Sequence, residues 1–565
     1  MPFHRQLIKY SYLFLFYPIF VLSYVVSEKT GKSFIPERII FLHLLLYFVA
    51  YFISNKKLSS IYVRFIYLST LVITFFEVAY VSIYKERITP STAFILIETN
   101  PSETSEYLKE YFNTEIFIWL LILLIPSVFI LIGVNKAIQQ YTLKSSFKAI
   151  FNDLHKLALF IETLWVKTQN SIWKKLALGL VLLVIGTAVY FNSNHHKYHA
   201  VFQIFNGYEK YKTEVEKYKN FFGSSQKSNL LKTVVKKEDS LKETIIIIIG
   251  ESTTKHHLGI YGYHRNTTPN LENLRSELLV FNDVISPHTH TIPALGKVLT
   301  FATTANPEAK EHGSLVQLVK AAGYKTSWIS NQIPIGINET MVSILAQAAD
   351  YSYYTNLGGE QELRSLDERV LPILAKSLKK NDTKKVIFVH LLGTHTQYKN
   401  RYPENFNQFK DIPSTPFGTQ QAFDAINQYD NAVLYNDFII SEIITLLKAN
   451  AIPNEKQQLL FFSDHGEDVY QTVDFNGHSE AIGSYPMFEI PFVFWSNQKS
   501  ELEKYSPFTN RKYMTDQLIF SIADLLNISF DGMQEENSIF NPNFQVKQRI
   551  VKQHMDFDAE IKPAE

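Results

Sequence analysis

The chain has 565 residues, a formal net charge of +1 and no cysteine. That length exceeds one ordinary domain, and the near-neutral charge gives nucleic acid no electrostatic footing. Without thiols, disulfides, thiolate metal sites and cysteine nucleophiles are excluded.

Five apolar stretches come first: Tyr10–Val26, Ile39–Ile53, Tyr62–Tyr84, Ile116–Val134 and Leu176–Phe191. Each is near the length at which a helix crosses a bilayer, the second and fifth being short. Phe and Tyr crowd this part of the chain, as interfacial aromatic belts do. The first stretch has no small-residue cleavage site and further spans come after it, so it reads as a retained helix. Lys136, Lys144, Lys148, Lys156, Lys167, Lys174 and Lys175 crowd the segment between the fourth and fifth stretches. Basic loops stay inside. The N-terminus is then cytoplasmic and everything after Phe191 lies outside, which in a bacterium is the periplasm.

Glu77 falls inside the third span, where a carboxylate is a functional candidate; contact with the membrane interface is the simpler account. Glu98 and Thr99 lie in the next external loop, as a polar helix end at headgroup level. His195 and His199 have the i, i+4 spacing of a metal pair but no carboxylate beside them, and read as an interfacial turn. Ile204, Tyr208, Tyr211, Val215, Tyr218 and Phe222 recur at spacings of four and three. They predict an amphipathic helix that lies on the bilayer or packs on the soluble domain.

From Leu241 onward, buried-strand runs (IIIII, KTSWIS, KKVIFVHLL, QQLLFFSDHG, PFVFWS) alternate with helical ones. This is an α/β pattern, a mostly parallel sheet covered on both faces. The expected domains are residues 1–192 in the membrane, 193–240 as interfacial helix and linker, 241–540 as the α/β domain, and 541–565 as a loose polar tail.

Three of the runs end in chemically useful residues: Glu251 after the isoleucines, His395 in GTH, and Asp464 with His465 in SDHG, with His478 further on in NGHSE. Parallel strands bring such ends to one edge. Oxygen and imidazole donors suit Zn²⁺ in an open site, and also Mn²⁺. The segment SPHTHTIPALGK supplies a hydroxyl. Thr291 precedes Pro293 at a predicted helix start, where backbone N–H groups favour a phosphate. A metal would activate that hydroxyl as a nucleophile. Simple helix capping by Thr291 is the alternative, and Thr289 and Ser286 are rival nucleophiles.

Taken together, GES, GYxRxTTPN (Gly262–Asn270), SPHTHT, GTH, YDNxxxYND (Tyr429–Asp437), SDHGE and GHSE resemble the phosphoethanolamine transferases of the alkaline phosphatase superfamily. That family modifies lipid A or the lipopolysaccharide core and includes the mobile colistin-resistance enzymes. The resemblance spans nearly the whole chain. It implies five membrane helices and then a sulfatase-like periplasmic domain, in the bacterial inner membrane. It implies that Glu251, Thr291, Asp464 and His465 hold a catalytic zinc and that Thr291 is the covalent nucleophile. His395 and His478 would bind the substrate phosphate or a second zinc. Asn331, in WISNQ, would be a polar substrate contact, and Glu98 and Thr99 would lie on the membrane side of the site. The implied donor is phosphatidylethanolamine, and the acceptor is lipopolysaccharide or another glycan. Two departures, the missing periplasmic cysteines and the Pro-His-Thr-His before Thr291, point to core sugars or other glycans and leave the acceptor open. His288 and His290 flank the nucleophile as proton-transfer candidates or as exposed loop residues. The alternatives are a phosphoglycerol transferase of the lipoteichoic-acid synthase type and a non-catalytic metal-bound scaffold.

Overall fold

The computed structural model describes residues 11–31, 36–50, 55–90, 112–140, 172–194, 199–222, 228–237, 242–333, 341–356 and 365–563, together with residues 34, 53, 92 and 96. The chain divides into two compact units, one made of Met1–Leu96 and Glu110–Tyr211, the other of Ile97–Lys109 and Lys212–Glu565.

The first unit is helical. Helices α1 (Tyr17–Thr30), α2 (Glu37–Ala50), α3 (Lys56–Tyr84), α4 (Thr114–Gln140) and α5 (Ile172–Asn192) coincide with the five apolar stretches. Among the described residues, two helices, Lys56–Tyr84 and Thr114–Lys136, are long and apolar enough to cross a membrane by length and composition. Their outward faces are apolar, with Phe65, Phe76, Ile125 and Phe129 exposed, as lipid-facing positions are. Glu77 is buried and receives Arg87 Nε at 2.6 Å. His199 is also buried, its ring stacked at 5.9 Å on His43, whose Nε2 meets Thr70 Oγ1 at 2.8 Å. His195, Glu98 and Thr99 lie outside the described residues. The amphipathic helix α6 forms over Ala200–Phe222.

The second unit is built on a seven-stranded sheet. In chain order its strands are β1 (Lys242–Gly250), β2 (Leu278–Val280), β3 (Lys325–Ser330), β4 (Tyr351–Tyr354), β5 (Lys384–His390), β6 (Glu455–Ser463) and β7 (Phe492–Ser496). Across the sheet the order is β2-β7-β6-β1-β5-β3-β4, with β7 antiparallel to both neighbours and the other pairs parallel. Ile245 to Ile249 in β1 are all fully buried, so both faces of the central strand are covered. On one face Ile246 and Ile248 pack with the 30-residue helix α8 (Gln420–Ala449), through residues such as Ile426, Val433 and Ile440. Fully burying side chains of this kind is worth about 1.5–3 kcal/mol each.

Register fixes the site. Gly250 pairs with Ser463 and Ile249 with His390, so the residues just past these strands leave the sheet together. The tail differs from expectation. The described residues up to Pro563 fold back: Ile550–Val551 pairs with Met555–Asp556, and Val551 and Phe557 are buried with Ile285 and Phe488. Arg549 is buried and ion-paired with Asp283 and Asp558.

Candidate active site

Glu251, Asp464 and His465 emerge side by side from β1 and β6. All three are at most 2% exposed, and one ligand atom from each lies within 4.8 Å of the others. The backbone shapes the group. Ser252 sits in the left-handed region at φ 57°, and its N–H donates to Asp464 Oδ1 at 3.0 Å. The His465 N–H donates to the same oxygen at 2.7 Å. Asp464 Oδ2 is buried and, among the described residues, has no hydrogen-bond partner. At Gly393, φ is 54° and an added Cβ would lie 2.7 Å from the Glu251 carbonyl oxygen; only glycine lets the His395 loop pass so close.

His465 Nδ1 lies 2.9 Å from the Gly466 carbonyl. A carbonyl only accepts, so Nδ1 carries the proton and Nε2 faces the site. Nε2 is 3.4 Å from Glu251 Oε1 and 3.6 Å from Asp464 Oδ2. Burial pushes the Asp464 carboxyl up to about 6, with the Glu251 carboxylate adding to it. Burial opposes charge on His465, but Asp464 and Glu251 raise its imidazole to about 10. Two buried carboxylates, one with an unpartnered oxygen, and one imidazole offer hard and borderline donors around a common point. That set fits Zn²⁺.

Thr291 opens helix α7 (Thr291–Val298) as its first helical residue, and His290 rather than Thr291 occupies the cap position. Thr291 Oγ1 is 3.2 and 3.3 Å from the two Glu251 oxygens and 3.5 Å from His465 Nε2. Its rivals are occupied: Ser286 Oγ donates to the Asp464 carbonyl at 2.5 Å, and Thr289 Oγ1 to Glu480 at 3.1 Å.

Around this centre stand more imidazoles. The His478 ring lies 4.2 Å from that of His465 and 5.0 Å from that of His290. Burial, together with His465, His290 and His395, holds His478 neutral, and burial with Arg401 lowers His395 to about 3. Neutral imidazoles have a lone pair free for a metal or for a proton. Asn331 is fully buried one residue past β3. Its amide donates to Asp367 at 2.8 Å and accepts from Thr355 and Ser365 at 2.7 Å each.

Three groups escaped the sequence reading. Gln332 Nε2 donates to Glu251 Oε2 at 3.1 Å and to the Leu391 carbonyl at 3.0 Å, orienting Glu251. Glu467 meets His478 Nδ1 at 3.0 Å and accepts from Tyr398, and burial lifts it to about 8. Glu480 binds His288 and Thr289; burial works against its charge, yet the His288 hydrogen bond and its neighbours hold it at about 2. Glu467 and Glu480 close the quoted motifs SDHGE and GHSE, which was the available signal. The two long motifs brace the site. Asp430 takes Tyr263 at 3.0 Å, Arg265 at 2.8 Å and His257 at 2.6 Å, while Asp437 takes the Asn270 and Leu271 N–H groups at 2.9 Å.

A parallel sheet with carboxylate, imidazole and hydroxyl groups at one edge is the architecture of a sulfatase-type domain, and the Sulfatase family model matches residues 243–528. Phosphoethanolamine transferase EptC of Escherichia coli K12 is 32% identical over 483 residues, covering 84% of this chain and 81% of the relative. Phosphoethanolamine transferase CptA of Salmonella typhimurium is 31% identical over 490 residues, with the same coverage of 84% and 81%. The zinc-complexed C-terminal periplasmic domain of the E. coli EptC superposes with a TM-score of 0.55 at 36% identity, covering 58% of this chain and 95% of that one. The integral membrane lipooligosaccharide phosphoethanolamine transferase A of Neisseria meningitidis shares the fold over 94% of this chain and 97% of that one, with a TM-score of 0.61 at 19% identity. This chain belongs to the phosphoethanolamine transferase family of the alkaline phosphatase/sulfatase superfamily.

Proposed function

We propose that this phosphoethanolamine transferase takes its group from phosphatidylethanolamine and passes it, through Thr291, to a hydroxyl or phosphate of lipopolysaccharide, on a core sugar or on lipid A. One observation carries the reading: of the three hydroxyls in the Ser286–Thr291 segment, that of Thr291 faces Glu251 and His465. Zinc held by Glu251, Thr291, Asp464 and His465 would supply charge neutralisation at the phosphoryl oxygens and a lowered hydroxyl pKa.

In the first step Thr291 Oγ1 bonds to phosphorus, the bond to diacylglycerol breaks, and the threonine proton ends on the diacylglycerol hydroxyl. In the second step the acceptor oxygen bonds to phosphorus, the bond to Thr291 breaks, and the acceptor proton returns to Thr291. Glu251 fixes the Thr291 hydroxyl, and Gln332 fixes Glu251. His395 and His478 take the substrate phosphoryl oxygens or a second zinc, with Glu467 setting the His478 tautomer. Glu98 and Thr99 would contact the lipid substrate, whereas Asn331, buried and hydrogen-bonded to Asp367, Thr355 and Ser365, would support the site from within. Residues 1–192 would anchor the protein in the bacterial inner membrane by five helices, with the N-terminus in the cytoplasm and residues 241–540 in the periplasm. The lipid donor would then arrive from the bilayer.

Intact-protein mass spectrometry after incubation with phosphatidylethanolamine tests the reading. A gain of one phosphoethanolamine, localised to Thr291, is expected. A gain from phosphatidylglycerol instead would replace the donor. No gain, and no diacylglycerol released, would remove the transferase reading.

A further inference from the structure

The Ser286–Thr291 segment is tied at both ends. Ser286 N–H donates to the Phe488 carbonyl at 2.8 Å, and Thr291 Oγ1 meets Glu251. Between those ends, among the described residues, Glu480 supplies the side-chain hydrogen bonds from outside the segment, and the Ala294 N–H adds a backbone bond to the His290 carbonyl at 3.1 Å. Its Oε1 lies 3.1 Å from His288 Nδ1. Its Oε2 accepts the Thr289 N–H at 3.0 Å and the Thr289 hydroxyl at 3.1 Å. Both carboxylate oxygens are thus committed to residues two and three positions before the nucleophile.

The start of α7 shows what this achieves. His290 holds the cap position at φ −132° and ψ 144° with no side-chain capping bond. A threonine at the cap position itself would fold its hydroxyl onto the first-turn N–H groups, but Thr289 stands one residue before the cap. Here the Thr289 hydroxyl is turned to Glu480, so it neither caps α7 nor enters the site. Glu480 also sits two residues past His478, whose ring packs against both His465 and His290. One carboxylate therefore couples the nucleophile segment to the loop that carries His478.

We propose that Glu480 is a positioning residue that locks His288 and Thr289 against the His478 loop, so that the Thr291 hydroxyl, and not that of Thr289, is presented to Glu251 and His465. The inference rests on Thr291 being the nucleophile. Small displacements of a reacting atom cost about a hundredfold in rate, which makes such a lock measurable.

The test compares full-length wild type, Glu480→Ala and Glu480→Gln, each loaded with zinc. Three quantities are read: the rate of phosphoethanolamine labelling at Thr291, the zinc content, and amide hydrogen exchange across residues 287–292. In Glu480→Ala, labelling at saturating lipid is expected to slow about tenfold or more. The half-saturating lipid concentration and the zinc content stay near wild type, while the unfolding temperature falls with the lost carboxylate bonds and exchange across 287–292 accelerates. Glu480→Gln keeps an oxygen for the Thr289 N–H and restores most of both. An alanine variant that labels and exchanges like wild type would overturn the proposal, as would a glutamine variant as impaired as alanine. If the alanine variant does not fold, Thr289→Val decides, since it deletes one of the three bonds at constant size. Faster exchange across 287–292 with slower labelling supports the lock, and unchanged behaviour overturns it. If wild type itself takes no label from phosphatidylethanolamine, the donor assignment falls alone; exchange in Glu480→Ala still decides, acceleration supporting the lock and wild-type exchange overturning it.

Discussion

The two ends of one sheet treat buried charge in opposite ways. At the end where β1 and β6 begin, Glu243 is almost fully buried, with Lys236 at 2.9 Å, Lys456 at 3.4 Å and the Tyr324 hydroxyl on its carboxylate. Lys456 also pairs with Glu501 at 2.8 Å. Glu243 and Glu501 there each have a base, shared through Lys456. At the other end Glu251 and Asp464 face one another with a single imidazole between them, and among the described residues Asp464 Oδ2 has no hydrogen-bond partner. The first end is a structural ion-pair network; the second is arranged for a cation that the protein does not itself provide. Burial alone therefore does not mark a functional site, whereas burial with unbalanced charge does.

The comparison can be broken or sharpened by mutation. Thr291→Ala should abolish labelling and transfer, by about a thousandfold or more, without altering the fold; mass spectrometry and circular dichroism check both. Asp464→Asn should weaken zinc binding by about a hundredfold or more while leaving the metal-free protein as stable as wild type or more so, because a repelled buried carboxylate is gone. Calorimetry with and without metal separates these effects, and a destabilised metal-free variant would place Asp464 with Glu243 as a structural charge. Glu243→Gln should do the reverse. It strands buried lysine charge and costs about 3–5 kcal/mol in denaturant unfolding, with zinc affinity unchanged.

The smallest effect concerns pH. Against the cost of burial, Glu489 is drawn down to about 2 by His256 at 2.5 Å and Lys255 at 3.0 Å. A carboxyl depressed in the folded state stabilises it above its unfolded pKa of about 4.3. That contribution is lost as pH falls from there through about 2. Glu489→Gln should therefore flatten the loss of stability in this acid window and lower stability at neutral pH, where the carboxylate's contribution is fully present. A variant with the wild-type acid slope would contradict the assignment.

Much of this was legible in the chain. A continuous β-branched isoleucine run ending in Gly-Glu reads as a buried strand delivering its next side chain to the sheet edge, and the same logic carried Asp464 and His465. The features that stayed hidden depended on partners distant in sequence. β6 begins at Glu455, four polar residues before its apolar run, because Gln457 and Gln458 find Asn497 and Glu501 across the fold. Asn331 and Gln332 are adjacent and chemically alike, yet one is saturated inside the domain and the other reaches Glu251. Nothing local distinguishes them. His199 reads as an exposed turn until His43, 156 positions earlier, stacks on it.

The most direct test of the claim that the Glu251–Asp464 edge is built for a cation is anomalous diffraction at the zinc edge from crystals of the zinc-loaded protein. The account predicts a peak bonded to Asp464 Oδ2, Glu251, His465 Nε2 and Thr291 Oγ1, at about 2.0–2.2 Å from each. A fully loaded crystal with its zinc elsewhere, and Asp464 Oδ2 still without a partner, would contradict it.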